Sequence, residues 1–176
     1  MNDLIREFEE IVTDELNLIR NESIVALKHV ATGKYLSSIE NIHYTTGSKS
    51  QVAFVSSQIQ HIDYYKYLGI NSGSYKSPIS EHTEVSCGEY YHTDWKVNHS
   101  RLENSQRYLK SNDVVNLSTK KFYDNNGEYI NDGYEAFLRS HDIQFSIGND
   151  TFQELVCHNE RLGGNDEWCI ELIKQD

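Results

Sequence analysis

The sequence predicts an all-β fold made of three related units of four short strands, preceded by one helix. Three observations carry this reading. "LKHVATGKYL" (residues 27–36) lies over "IQHIDYYKYL" (residues 59–68) without a gap, matching His29 to His61 and Lys34-Tyr35-Leu36 to Lys66-Tyr67-Leu68. "DWKV" (residues 94–97) returns as "EWCI" (residues 167–170), each closing its unit. Apolar residues alternate, as in Ile143, Phe145, Ile147 and again in Trp168, Ile170, Leu172, the period of half-buried strands. A unit of four short strands cannot bury its apolar face alone. Three of them closed about one axis remove the exposed edges, which predicts a β-trefoil: six barrel strands capped by three hairpins.

The first element, residues 1–22, has another character. Leu4, Phe8, Ile11 or Val12, Leu16 and Ile19 recur at three and four with acids between them, the pattern of an amphipathic helix. Asn2 or Asp3 is placed to cap it. Its apolar stripe needs a surface, either the chain's own trefoil or a partner, including a second copy. The trefoil domain follows over residues 23–176, with lobes at about 24–57, 58–112 and 113–173. In the third lobe "VVNLST" (residues 114–119) takes the place of the first strand, with Thr119 where His29 and His61 stood. An Asn- and Gly-rich insertion (residues 120–135) precedes "AFLRSH" (residues 136–141), the counterpart of the Tyr-Leu strand. Further on, Gln51-Val52 with Phe54, Glu84-Val85 with Cys87, and Glu154-Leu155 with Cys157 mark a third strand in each lobe. The first lobe lacks a Trp-bearing closing strand, because only three residues lie between Val55 and Ile59. One barrel strand is then absent, or supplied by residues 58–62 serving twice, or replaced by the helix covering the gap.

Composition narrows the function. A chain of 176 residues, 38% apolar and with a single Pro, suits one globular domain. A net charge of −11 disfavours nucleic acid and anionic membrane as partners, because phosphate binding rests on clustered Lys and Arg. Residues 1–22 carry seven acids against two Arg, so much of that charge sits on the helix. No signal-like basic and apolar start and no membrane-length apolar run occur. Cys87, Cys157 and Cys169 are odd in number and lack CxxC spacing, which fits free thiols. A soluble cytoplasmic protein is expected, and the four Asn-x-Ser/Thr sequons read as chance.

"LKHVATGKYLSS", "TEVSC", "TDWKV" and "FLRSHDIQFSIGNDTFQELVCHNERLGGNDEWCIEL" resemble the MIR motif, named for protein mannosyltransferases, inositol trisphosphate receptors and ryanodine receptors. The resemblance spans residues 24–173 and is strongest in the last third, which is similar to small soluble MIR proteins of fungi. It implies a β-trefoil and a non-enzymatic binding module that recognises a glycan or polar peptide through its loops. Transferase chemistry in mannosyltransferase relatives belongs to other domains.

The candidate chemistry agrees with binding. His29 and His61 read as hydrogen-bonded structural residues. With Thr119 in the third copy they form no symmetric metal site, and Cys87 and Cys157 fall at apolar repeat positions, short of the convergent ligands zinc needs. No nucleophile elbow or phosphate loop occurs, and adjacent acids such as Asp166-Glu167 point to opposite faces of a strand. No catalytic residue, metal or cofactor is therefore expected. Trp95 and Trp168, equivalent by repeat, read as core. The richest ligand candidates lie on the third lobe: Arg139, His141, Asp142, Asn149, Asp150, Glu160, Arg161 and Asp166, a set suited to hydrogen bonding with hydroxyls or a carboxylate. An interaction scaffold using the acidic helix is the alternative function.

Overall fold

The computed structural model describes residues 2–58, 66–71, 75–89, 93–100, 108–124, 126–160 and 163–175. His61 and Arg161 lie outside them, as do the side chains of Asn2, Asp3 and Phe8. The chain begins with helix α1 (Asn2–Leu16) and a two-residue strand β1 (Leu18–Ile19). The first unit holds β2 (Ile24–His29), β3 (Tyr35–His43) and β4 (Gln51–Ser56). The second holds β5 (Tyr67–Gly69), β6 (Thr83–Glu84), β7 (Ser86–Gly88) and β8 (Lys96–His99). After β9 (Leu109–Lys110), the third holds β10 (Val114–Tyr123), β11 (Tyr129–Ile147), β12 (Asp150–His158), a 3-10 turn at Gly164–Asp166 and β13 (Trp168–Lys174). The described chain is thus mostly strand, with one α-helix.

One register ties the units together. Gln51 pairs with Cys87, Thr83 with Cys157, and Gln153 with Val55, so β4, β6–β7 and β12 pair in a ring. The inward side chains of that ring are Ala53 and Val55, Val85 and Cys87, and Leu155 and Cys157, all in one buried cluster with Trp168, Leu138 and Val115. Lysines follow the same rotation. Lys34 Nζ donates to Gln153 Oε1 (2.7 Å), Lys66 Nζ to Gln51 Oε1, and Lys121 Nζ to Thr83 Oγ1 (2.7 Å). The closing strands complete the match: β13 pairs with β2 and β8 with β10, each the first strand of another unit.

The two tryptophans hold equivalent posts. Trp168 is fully buried and donates its indole N–H to the Leu138 carbonyl (3.1 Å). Trp95 packs half-buried on the same cluster and donates to the Leu68 carbonyl (2.9 Å). His29, opposite Trp168, is buried against its ring, with Nδ1 on Thr32 Oγ1 and Nε2 on the Asn165 carbonyl. It serves as a structural histidine, and burial lowers its pKa.

Two expectations need correction. Phe54 is not the counterpart of Cys87 and Cys157; Val55 is, since Leu36 pairs with Val55 as Leu68 pairs with Cys87 and Leu138 with Cys157. A slip of one residue reverses the face of a strand, and Phe54 instead joins a second cluster with Tyr44, Val52, Phe145 and Phe152. The helix also stops at Leu16, short of residue 22. Ile19 lies in β1, pairs with Leu109 and packs on the main core, while Leu4, Ile5, Ile11, Val12 and Leu16 stay exposed. Gln175 Nε2 anchors the helix end at the Leu16 and Leu18 carbonyls (3.3 and 2.5 Å). Residues 120–135 form much of a long β10–β11 hairpin, with Tyr123 opposite Tyr129.

Candidate functional site

The structure divides the eight sequence candidates. Arg139 and His141 come from β11, and Asp166 from the 3-10 turn. Arg139 Nε stands 3.7 Å from Asp166 Oδ1, with the two residues only 8% and 0% exposed. His141 Nε2 meets Glu154 Oε2 at 3.0 Å. Burial would raise the Glu154 carboxyl, yet hydrogen bonds from His141, Ser80, the Ile79 amide and Ser77 hold it down at about 2. Two further histidines that the sequence reading did not place here join them. The His82 ring lies 4.7 Å from that of His158 and 5.9 Å from that of His141, and burial followed by the His158 and His141 charges lowers its pKa. This is a dense, nearly closed junction between the second and third units. It joins them by charge and hydrogen bonds and presents little surface.

The remaining candidates stand apart. Asn149 and Asp150 lie at the β11–β12 hairpin tip and are exposed. Asp142 is exposed on β11, and Glu160 is exposed beyond β12, its amide donating to His158 Nδ1 (3.1 Å). The turn carrying Asn165 and Asp166 is also structural through its backbone. Besides the His29 bond, the Asp166 carbonyl accepts from Asn116 Nδ2 (2.7 Å).

A groove of about 1210 Å³ lies where all three units meet. Lys49, Lys66, Lys96, Lys120 and Lys121 line it, one or more from each unit, with Glu89, Asp94 and Glu135 as the carboxylates among them. Lys66 and Lys121 are tied into the fold by their bonds to Gln51 and Thr83, and burial lowers the Lys121 pKa. Lys49, Lys96 and Lys120 are exposed at the rim. The β10–β11 hairpin forms one wall. Phe122 stacks on Tyr129 (6.4 Å, 16°) and Tyr123 meets the same ring edge-on (5.5 Å, 67°), with Tyr129 61% exposed. Gly133 permits this wall: its φ is +59°, and a Cβ there would sit 3.0 Å from the Lys121 carbonyl and the Phe122 ring. Asp124 Oδ1 holds the tip by accepting from the Asn126 and Glu128 amides (both 2.8 Å). Cations beside aromatic faces on an acidic chain can hold anionic or polar groups while stacking their apolar parts.

No three-ligand metal group occurs among the described residues. All three thiols are free, with Cys157 pushed up to about 12 by burial and Cys87 and Cys169 also raised by burial. No described helix is long and apolar enough to cross a membrane.

No protein-family model and no curated protein matches the chain. Solved structures do. The SDF2-like protein from Arabidopsis thaliana matches at a TM-score of 0.60 with 20% identity, over 83% of this chain and 90% of that one. A Caenorhabditis elegans protein with unknown function matches at 0.64 with 15% identity, over 89% and 97%. These likenesses establish a shared fold.

Proposed function

We propose that the chain is a MIR-type β-trefoil, three lobes behind an N-terminal helix, acting as a non-enzymatic binding module for a glycan or polar peptide. The cyclic register of β4, β6–β7 and β12, the matched Trp95 and Trp168 bonds and the SDF2-like fold support the trefoil. One observation carries the function. The groove gathers five lysines beside an aromatic hairpin on a chain of net charge −11, which concentrates local positive charge where stacking surface is also exposed.

Titration of the full chain with a glycan panel and with acidic and neutral peptides, read by calorimetry, tests this. Binding that weakens about tenfold in Lys96→Ala and Tyr123→Ala, and weakens with salt, is expected. No binding by any member of the panel refutes the module. Loss on Asp142→Asn or Asp150→Asn instead of the groove variants assigns recognition to the third-lobe loops.

A further inference from the structure

Two surfaces in this fold are exposed against the usual tendency to bury apolar groups. The first is the stripe on α1: Leu4 is 73%, Ile11 60% and Leu16 64% exposed. On a helical wheel of 100° per residue, Glu7 and Glu9 border that stripe on its two sides and Glu15 lies within it. The second is the groove, whose rim carries Lys49, Lys96 and Lys120 and whose walls include Ile70, Phe122 and Tyr123. One surface is acidic around an apolar stripe, and the other sets five lysines against three carboxylates beside the apolar walls of Ile70, Phe122 and Tyr123. Within its own chain α1 is anchored at its C-terminal end, where Gln175 holds the Leu16 and Leu18 carbonyls and β1 pairs with β9.

We infer that the groove of one copy takes α1 of a second copy. The inference rests on the groove being the recognition surface and names a polar peptide segment for it. The 15-residue helix is about 22 Å long and lays its stripe on Ile70 and the aromatic hairpin. Its carboxylates meet the lysine rim, an amphipathic helix seated in a groove. Reciprocal exchange of the two helices closes the pair as a twofold dimer. Rim charges set pairing and salt dependence, while the buried stripe sets lifetime.

Charge exchange in the full-length protein tests it, with mass read by analytical ultracentrifugation at about 100 μM in low salt. One variant carries Glu7→Lys, Glu9→Lys and Glu15→Lys. The other carries Lys49→Glu, Lys96→Glu and Lys120→Glu, leaving the fold-bound Lys66 and Lys121 alone. Wild type is expected to be dimeric and to dissociate at least tenfold more readily in high salt. Each variant alone is expected to be monomeric, and an equimolar mixture to re-form a dimer, because each helix then faces a groove of opposite charge. Ile11→Asn, which leaves every charge in place, is expected to weaken the wild-type dimer about tenfold. A monomeric wild type, dimers that survive in both variants, or a mixture that stays monomeric overturns the inference. The helix variant keeps its groove intact, so loss of the dimer with retained binding of panel ligands separates this inference from the function on which it rests.

Discussion

Replacing Glu154 by Gln removes one charge where β12 meets the segment of Ile79 and Ser80, and changes little else. Its carboxylate is fully buried and accepts from His141 Nε2 at 3.0 Å, from the Ile79 amide at 3.2 Å and from the Ser80 amide at 3.4 Å. Gln keeps the acceptor for the two amides and loses the charge those donors stabilise. A carboxyl held at about 2 against an ordinary 4.5 corresponds to about 3 kcal/mol of folding stability at neutral pH. Because the folded pKa is depressed, that contribution is complete above pH 4.5 and is lost as pH falls toward 2. About 1 kcal/mol of it remains at pH 3. Urea unfolding of wild type and Glu154→Gln at pH 7 and pH 3 measures both values, and the difference between the two proteins cancels titrations they share. A deficit near 3 kcal/mol at pH 7 that shrinks to about 1 at pH 3 is expected. A deficit below 0.5 kcal/mol at pH 7, or one of the same size at both pH values, refutes the reasoning.

Three further outcomes follow from other sites. Gly47→Ala places a Cβ against the buried Glu84 carboxylate at φ +64°, and is expected to lower stability by about 2 kcal/mol or more in denaturant melts. His29 is buried and its pKa is lowered, so stability is lost as pH falls below 6.5, where the unfolded chain takes up the proton first. His29→Gln is expected to flatten the fall in urea midpoint between pH 7 and pH 5, and an unchanged slope sinks that attribution. Cys157, at about 12 and buried, is expected to resist a thiol reagent at pH 8 until urea unfolds the chain. Its modification before unfolding, located by mass spectrometry, would contradict the packing.

Particular residues show how far the primary structure could be read. The likeness of "DWKV" to "EWCI" already placed Trp95 and Trp168 at equivalent core posts, and their indole bonds to Leu68 and Leu138 are the physical content of that likeness. Thr119 in place of His29 was legible too. Trp95 falls in register with Thr119 when the β8–β10 pairing is continued one residue, as Trp168 faces His29. Phe54 was misread because Phe suits either face of a strand and period-two patterns resist slippage only where one face is polar. Val52, Ala53, Phe54 and Val55 are all buried, so no polar residue marks the register. The Asn and Gly residues of the insertion at 120–135 gave no sign of strand, yet Tyr123 pairs with Tyr129 and Lys121 with Tyr134 across a hairpin.

The third-lobe candidates illustrate the harder problem. Arg139, His141 and Asp166 were singled out as ligand candidates, yet Arg139 and Asp166 are buried and His141 is half-buried against Glu154. Nothing local distinguishes a charge that meets solvent from one that meets a buried partner far along the chain. Glu154 contacts Ile79 and Ser80 from 74 residues or more away. The groove was invisible for the same reason: Lys49, Lys96 and Lys120 come from three separate segments of the chain.

Amino-acid order by itself determined that this protein is built mostly of short strands behind an amphipathic acidic helix, and which tryptophans and first-strand histidine pack on the core. Periodicity and turn residues act over a few neighbours, and so they are written locally. Tertiary structure alone decided which charges are buried, which face of β4 looks inward and where five lysines converge. Those outcomes depend on pairing segments that lie far apart in the chain.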